Sequence, residues 1–167
     1  MTLAEAAAQA EELWAGGKQR ELAELRANWD DQLEADARSQ DFRERAMAFR
    51  AVGMFRWRAK EELLRRGLDD SSPAARGAAL LSVELLSRDH PSSVNSVRPL
   101  LHKMLNDLDE NAAVRRLAVM ALKNGSAQRD TIVLLEGTAA DDEADADLRR
   151  TAGSVAQELK RKAIAKR

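Results

Sequence analysis

Residues that could carry out catalysis are few in this chain. It has no cysteine and two histidines, His90 and His102. It therefore has neither a thiolate nucleophile nor a cysteine-ligated metal site. None of the HExxH, GxSxG, phosphate-loop or GxGxxG motifs occurs, and these position a metal, a nucleophile or a nucleotide. We therefore predict a protein that is not an enzyme and has no cofactor or metal ion.

An acidic run could attract a divalent cation, but only weakly. It consists of Asp141, Asp142, Glu143, Asp145 and Asp147. The run lacks the glycine and the ligand spacing of an EF-hand loop. Carboxylates are also favoured at the N-terminus of a helix, and we interpret the run in this way.

A segment at 47–60 combines aromatic and basic side chains. Arginine and tryptophan together suit phosphate contacts and base stacking, so Arg56, Trp57 and Arg58 form a candidate basic-aromatic patch. Alternatively, Phe49 and Phe55 belong to the core and the arginines extend past them to water. The segment leaves both interpretations open for Trp57.

Composition favours helices throughout. Aromatic residues make up 4% of the chain and charged residues 33%, with alanine, leucine, glutamate and arginine abundant. We predict an all-α protein of about nine helices, the first of which begins with a capping box at Thr2 and Glu5. Residues 40–66 either break near Gly53 into two helices or form one kinked helix. Pro99 either kinks its helix or marks the start of it.

The formal net charge of −1 conceals an uneven distribution. Residues 1–38 carry four basic and nine acidic side chains, whereas 41–66 carry eight basic and four acidic ones. No stretch approaches the roughly 20 apolar residues of a membrane helix. The N-terminus also lacks the basic region of a secretory signal, so we expect a cytoplasmic protein.

Three segments align on Arg76, Arg115 and Arg149, at spacings of 39 and 34 residues. An apolar residue precedes each arginine, alanine follows three positions later, and an acid stands six positions earlier. A weaker fourth copy is anchored on Arg43. An acid and an arginine at this spacing can pair within or between repeats. We therefore predict a structural ladder of partly buried, paired residues: Arg43, Arg76, Arg115, Arg149, Asp70, Asp109 and Glu143.

The turn acid, the arginine, the alanine and the apolar residue before the arginine resemble the HEAT-repeat family of armadillo-like α-solenoids. The resemblance covers about 54–161 well and 18–52 weakly, and does not extend to 1–17. It implies an α-α superhelix whose second helices line a concave face. The chain would be one domain over 1–167, with acidic helices at 1–38, repeats at 40–161 and a basic tail at 162–167.

On the second helices, one face away from the apolar stripe is mainly basic. We expect this concave face to bind an acidic segment of a protein partner through Arg88, Arg116, Lys123, Arg150 and Arg161. An ordinary solvated helix face explains the same residues. A nucleic acid in the same groove, contacted also by the basic-aromatic patch, is the alternative function. The N-terminal helices, with Trp14 and Trp29, either cap the stack or mediate self-association.

Overall fold

Capping side chains fix where several helices begin. The predicted capping box forms: Thr2 Oγ1 accepts a hydrogen bond from Glu5 N at 3.2 Å, and Glu5 Oε2 accepts one from Thr2 N at 2.7 Å. Asn111 and Asp145 each accept bonds from two backbone N–H groups at the starts of later helices. These bonds satisfy donors that have no partner inside the helix.

The computed structural model describes residues 1–167 in full and is all-helical, which confirms the predicted class. It contains ten α-helices and one 3₁₀-helix at Arg58–Lys60: α1 (Leu3–Ala15), α2 (Gln19–Asp36), α3 (Phe42–Met54), α4 (Glu61–Gly67), α5 (Pro73–Ser87), α6 (Ser92–Asn95), α7 (Arg98–Asn106), α8 (Ala112–Leu122), α9 (Arg129–Ala140) and α10 (Ala146–Ala165). The helix beyond the expected nine is α6. It is separate from α7 because Pro99, at the start of α7, has no N–H to continue the ladder.

The helices form two compact units, Met1–Leu86 and Ser87–Arg167. In the first unit, α1 packs on α2 and α3, and α3 also packs on α4. In the second unit, α10 packs on both α8 and α9, while α7 packs on α8. No helix is long and apolar enough to span a membrane.

Residues 40–66 are divided near Gly53, as the two-helix alternative predicts, although Gly53 itself still belongs to α3. Helix α3 continues to Met54, and the chain turns at Arg56, whose φ of 51° lies in the left-handed region. Gly53 is helical and serves packing. Its N–H donates to Ser82 Oγ at 3.0 Å, and a Cβ at Gly53 would lie 2.7 Å from the Ser82 Cα.

The apolar positions of the three aligned segments are all buried. They are Ala75, Ala79, Val83, Val114, Ala118, Leu122, Leu148, Ala152 and Ala156. The small alanines in the middle of each set allow neighbouring helices to approach closely. The stripe predicted from the repeat is therefore the inner face of α5, α8 and α10.

The arginines beside this stripe reach back to the preceding turn, where two of them donate to backbone oxygens. Arg76 Nη1 donates to the backbone oxygen of Asp70 at 2.8 Å, and Arg115 Nη2 donates to that of Leu105 at 2.8 Å. Arg149 lies 4.0 Å from Asp142. Asp109 and Glu143, the acids predicted for the last two rungs, are exposed and form no ion pair.

In the weak fourth copy, Arg43 does not occupy the buried position that the alignment predicts. It is exposed and pairs with Asp41, the residue that caps α3. Arg45, two positions later, instead makes two bonds to Asp70, at 2.8 and 2.9 Å. Their side chains are only 16% and 9% exposed, so this ion pair joins α3 to the turn before α5.

Two helical glycines give opposite predictions for an added methyl group. Gly53→Ala forces a Cβ against the Ser82 backbone, and we expect it to lower the free energy of unfolding by about 1–3 kcal/mol. Gly137→Ala meets no atom within 4 Å and should raise stability by up to about 1 kcal/mol through helix propensity. Urea unfolding of both variants measures the difference. Equal effects would contradict the close approach of α3 and α5.

The Arg45–Asp70 pair should make stability depend on acid pH. Hydrogen bonds from Arg45 lower the pKa of Asp70, against the opposing effect of burial. The pair therefore stabilises the fold above the unfolded carboxyl pKa of about 3.9, and this is lost as the pH falls through the lower folded value. We expect Arg45→Met to lower the urea midpoint at neutral pH, and the difference from wild type to shrink in acid.

The matched control for this variant is Arg43→Met, which removes the exposed arginine on the same helix. Its ion pair with Asp41 is solvent-exposed, and such pairs contribute little to stability. The midpoint should change little at any pH. A loss as large as that of Arg45→Met would show that the Asp70 contact is not the cause.

Candidate functional site

Three of the five residues predicted for the binding face line one open cleft in the second unit. Arg88, Lys123 and Arg161 come from different parts of the chain and meet around a cavity of 590 Å³. The full lining consists of Arg88, Pro91, Lys123, Asn124, Glu158, Arg161 and Lys162. Four cationic side chains and one carboxylate therefore surround the cavity, which we call the basic cleft.

The direction of the helices explains this convergence. Arg116 of α8 contacts Thr151 near the start of α10, and Lys123, at the end of α8, contacts Lys162 near the end of α10. The two helices therefore run in the same direction. Residues that follow α8 consequently lie beside the last turns of α10.

Lys162 is the residue of the cleft that sequence reasoning missed, because it was assigned to a basic tail. Its Nζ donates to the backbone oxygens of Lys123 and Gly125, both at 3.0 Å. These carbonyls lie at the end of α8, where no further turn of helix provides donors. Burial lowers the pKa of Lys162, and Lys166 acts in the same direction. An ammonium has three donors, so one N–H remains for a ligand.

Lys123 and Arg161 differ from Lys162 in having no internal polar contact. Neither side chain forms a hydrogen bond or an ion pair within the protein. Arg161 is exposed and Lys123 is half-buried at the edge of the cavity. A ligand could therefore bind these two cations without breaking an existing interaction.

Arg116 and Arg150, the other two residues predicted for this face, do not line the basic cleft. Arg116 Nε donates to Thr151 Oγ1 at 3.1 Å. Arg150 pairs with Asp147 in the first turn of α10. Both lie toward the starts of their helices, whereas the cleft is at the ends.

The basic-aromatic patch, in the first unit, is largely occupied by contacts within the protein. Arg56 Nη1 donates to Gly53 O at 2.9 Å and lies 3.5 Å from Glu11, and its guanidinium stacks on Trp14. Arg58 pairs with Glu61. The Trp57 ring is covered on one face by the Lys60 ammonium. Phe49 and Phe55 are buried, as the core interpretation predicts.

The acidic N-terminal helices neutralise the basic segment that follows them. Lys60 Nζ lies 2.6 Å from Asp30 and 2.8 Å from Glu34 of α2. Its hydrogen bond is the largest influence that lowers the pKa of Glu34, although burial opposes it. Burial alone would lower the pKa of Lys60, but the two carboxylates outweigh it and raise the value. The uneven charge of the sequence is thus balanced inside the first unit.

Arg26 of α2 also contacts the segment that follows α3. Sequence reasoning did not identify this residue. Its Nε and Nη2 donate to the backbone oxygens of Phe55 and Arg56, both at 2.9 Å. Burial lowers the pKa of this guanidinium. Trp29, on the same helix, is half-buried.

The two histidines occupy different environments. His90 is exposed in the turn before α6. His102 Nε2 lies 2.9 Å from Thr131 Oγ1, and burial lowers the pKa of the imidazole. Because the Thr131 side chain is buried between α7 and α9, this contact contributes to packing.

The contacts of Lys162 predict a measurable contribution to stability. Lys162→Met keeps the aliphatic chain but removes both bonds to the end of α8, and we expect a loss of about 1–2 kcal/mol in urea unfolding. Lys166→Met is the matched control, because Lys166 is exposed and its ammonium has no internal partner. Equal stability of the two variants would count against the role of Lys162 as a cap.

Comparison with known proteins does not assign the chain to a family. No protein-family model matches it, and no curated protein matches it.

Proposed function

We propose that this protein is a non-catalytic helical scaffold, built from HEAT-like repeats, that binds an acidic segment of a protein partner. The observation that carries the proposal is the basic cleft, where four cations surround one cavity and two of them lack any internal partner. Arg88, Lys123 and Arg161 contact the ligand, and Lys162 fixes the end of α8. A cytoplasmic location is part of the same proposal.

The repeat interpretation is supported by contacts at the expected separation along the chain. Ser82 Oγ donates to Phe49 O, 33 residues earlier, and Arg116 donates to Thr151, 35 residues later. Both contacts join helices that the sequence alignment places at equivalent positions. The buried apolar positions of α5, α8 and α10 agree with the same register.

A polypeptide fits the cleft better than a small metabolite does. Sites for small molecules enclose most of the ligand surface and are mainly apolar. Here Arg88 and Arg161 are exposed, and Pro91 is the one apolar residue of the lining. Long cationic side chains around an open cavity suit several carboxylates held on a chain, because each contact is individually weak.

Nucleic-acid binding, the alternative function, has less support. The guanidinium of Arg56 is held by Gly53, Glu11 and Trp14, so a phosphate would have to displace these contacts. One face of Trp57 is covered by Lys60 and is not free to stack on a base. The basic cleft could still bind phosphates, but it contains no aromatic residue on which a base could stack.

The proposal predicts binding of an acidic peptide that depends on two particular cations. Lys123→Glu combined with Arg161→Glu should raise the Kd of a fluorescein-labelled, glutamate-rich peptide at least roughly tenfold, because two attractive contacts become repulsive. Fluorescence anisotropy at low salt measures the affinity. A peptide with glutamine in place of glutamate should bind neither protein.

The matched control is Arg116→Glu combined with Arg150→Glu, which makes the same change in net charge outside the cleft. This variant should bind the acidic peptide nearly as well as wild type. Equal weakening by both double variants would indicate a general charge effect and contradict the cleft. Tighter binding of a DNA duplex than of the peptide, with a steep salt dependence, would favour the alternative function.

A further inference from the structure

The second unit has opposite charges at its two ends. The turn before α8 contains Asp107, Asp109 and Glu110, and the turn before α10 contains Asp141, Asp142 and Glu143. Because α8 and α10 run in the same direction, both turns lie at one end of this helix pair. The basic cleft lies at the other end.

The acidic end remains largely unneutralised within the protein. Asp107, Asp109, Asp141 and Glu143 form no ion pair. Arginines do lie nearby, but their contacts are limited: Arg149 is 4.0 Å from Asp142, Arg150 pairs with Asp147, Arg116 bonds to Thr151, and Arg115 is buried against Leu105. Several carboxylates therefore face solvent at this end.

An apolar side chain stands among these carboxylates. Leu108 lies between Asp107 and Asp109 and is 77% exposed, the highest exposure of any large hydrophobic residue in the chain. A partner that covered this leucine would remove its apolar surface from water, which favours association. Pro91 provides an apolar surface inside the basic cleft.

The acidic end cannot reach the cleft of its own molecule. From Ala146 to Arg161, helix α10 rises about 22 Å, so the two ends are separated by most of a rigid helix. Only a second molecule can bring them together.

We infer that copies of this chain associate head to tail, with the Asp107–Glu110 turn of one copy in the basic cleft of the next. This inference rests on the proposed function, since it identifies the acidic segment as one from a second copy. Asp107 and Asp109 contact Lys123 and Arg161, and Leu108 packs on Pro91. The contact joins two different surfaces, so each copy retains one free end and can add another copy.

Sedimentation velocity of the full chain tests the inference. At about 0.05 M salt, the mean mass should rise with protein concentration beyond that of a dimer. At about 1 M salt, where charges are screened within roughly 3 Å, the protein should be monomeric. A monomer at low salt over the whole concentration range would overturn the inference.

Two neutralising variants give a sharper test. The first, Lys123→Gln with Arg161→Gln, impairs the cleft. The second, Leu108→Ser with Asp109→Asn, impairs the acidic end. Each variant should be monomeric alone. An equimolar mixture should form dimers only, because the intact acidic end of the first variant can bind the intact cleft of the second. The other two ends of this dimer are impaired and cannot bind a further copy. Association that persists in both variants would place it elsewhere, for example on the N-terminal helices, and overturn the inference.

Binding of the acidic peptide distinguishes a failure of this inference from a failure of the proposed function. If wild type binds the peptide in the cleft yet remains monomeric, the head-to-tail contact is wrong and the scaffold proposal stands. If it neither binds the peptide nor self-associates, both fail. The Leu108→Ser, Asp109→Asn variant should bind the peptide with unchanged affinity, because its cleft is intact.

Discussion

Backbone oxygens at the ends of α3 and α8 accept hydrogen bonds from basic side chains, and two of these side chains, Arg26 and Lys162, come from distant parts of the chain. Arg26 and Arg56 donate to the last carbonyls of α3 and the residues after it, and Lys162 donates to those at the end of α8. A helix end leaves such acceptors without partners, and a cation there also interacts favourably with the helix dipole. The bonds from Arg26 fix α2 to the end of α3, and those from Lys162 fix α10 to the end of α8.

This constraint also explains the charge distribution. In the first unit, Arg56 and Lys60 follow the end of α3, and α1 and α2 supply Glu11, Asp30 and Glu34 as their partners. The acidic N-terminal region and the basic segment after it are therefore two halves of one packed arrangement.

Sequence periodicity was sufficient to predict the helices and their buried faces, because apolar spacing and capping residues act locally. All nine apolar repeat positions are buried, and the Thr2 capping box forms. Contacts between distant helices were harder to predict. Gly53 resembles a helix breaker in sequence, yet its role is set by Ser82 on another helix. The alignment selects Arg43, because Phe42 precedes it, and only the position of Asp70 shows that Arg45 makes the buried ion pair.

Residues of the candidate site that depend on contacts between distant helices were also hard to predict. Arg88, Lys123 and Arg161 could be grouped because they share a repeat register, but Lys162 could be recognised only once α8 and α10 were known to lie side by side.

Capping alone does not account for the basic cleft. The end of α8 has its cation in Lys162, whose two bonds are directed at Lys123 O and Gly125 O. Lys123 and Arg161 add positive charge to the same cavity without satisfying any group of the protein. Like charges placed together repel one another and lower stability, unless an anion binds between them. The basic cleft therefore holds more positive charge than the fold requires, and this excess favours the binding of an acidic ligand.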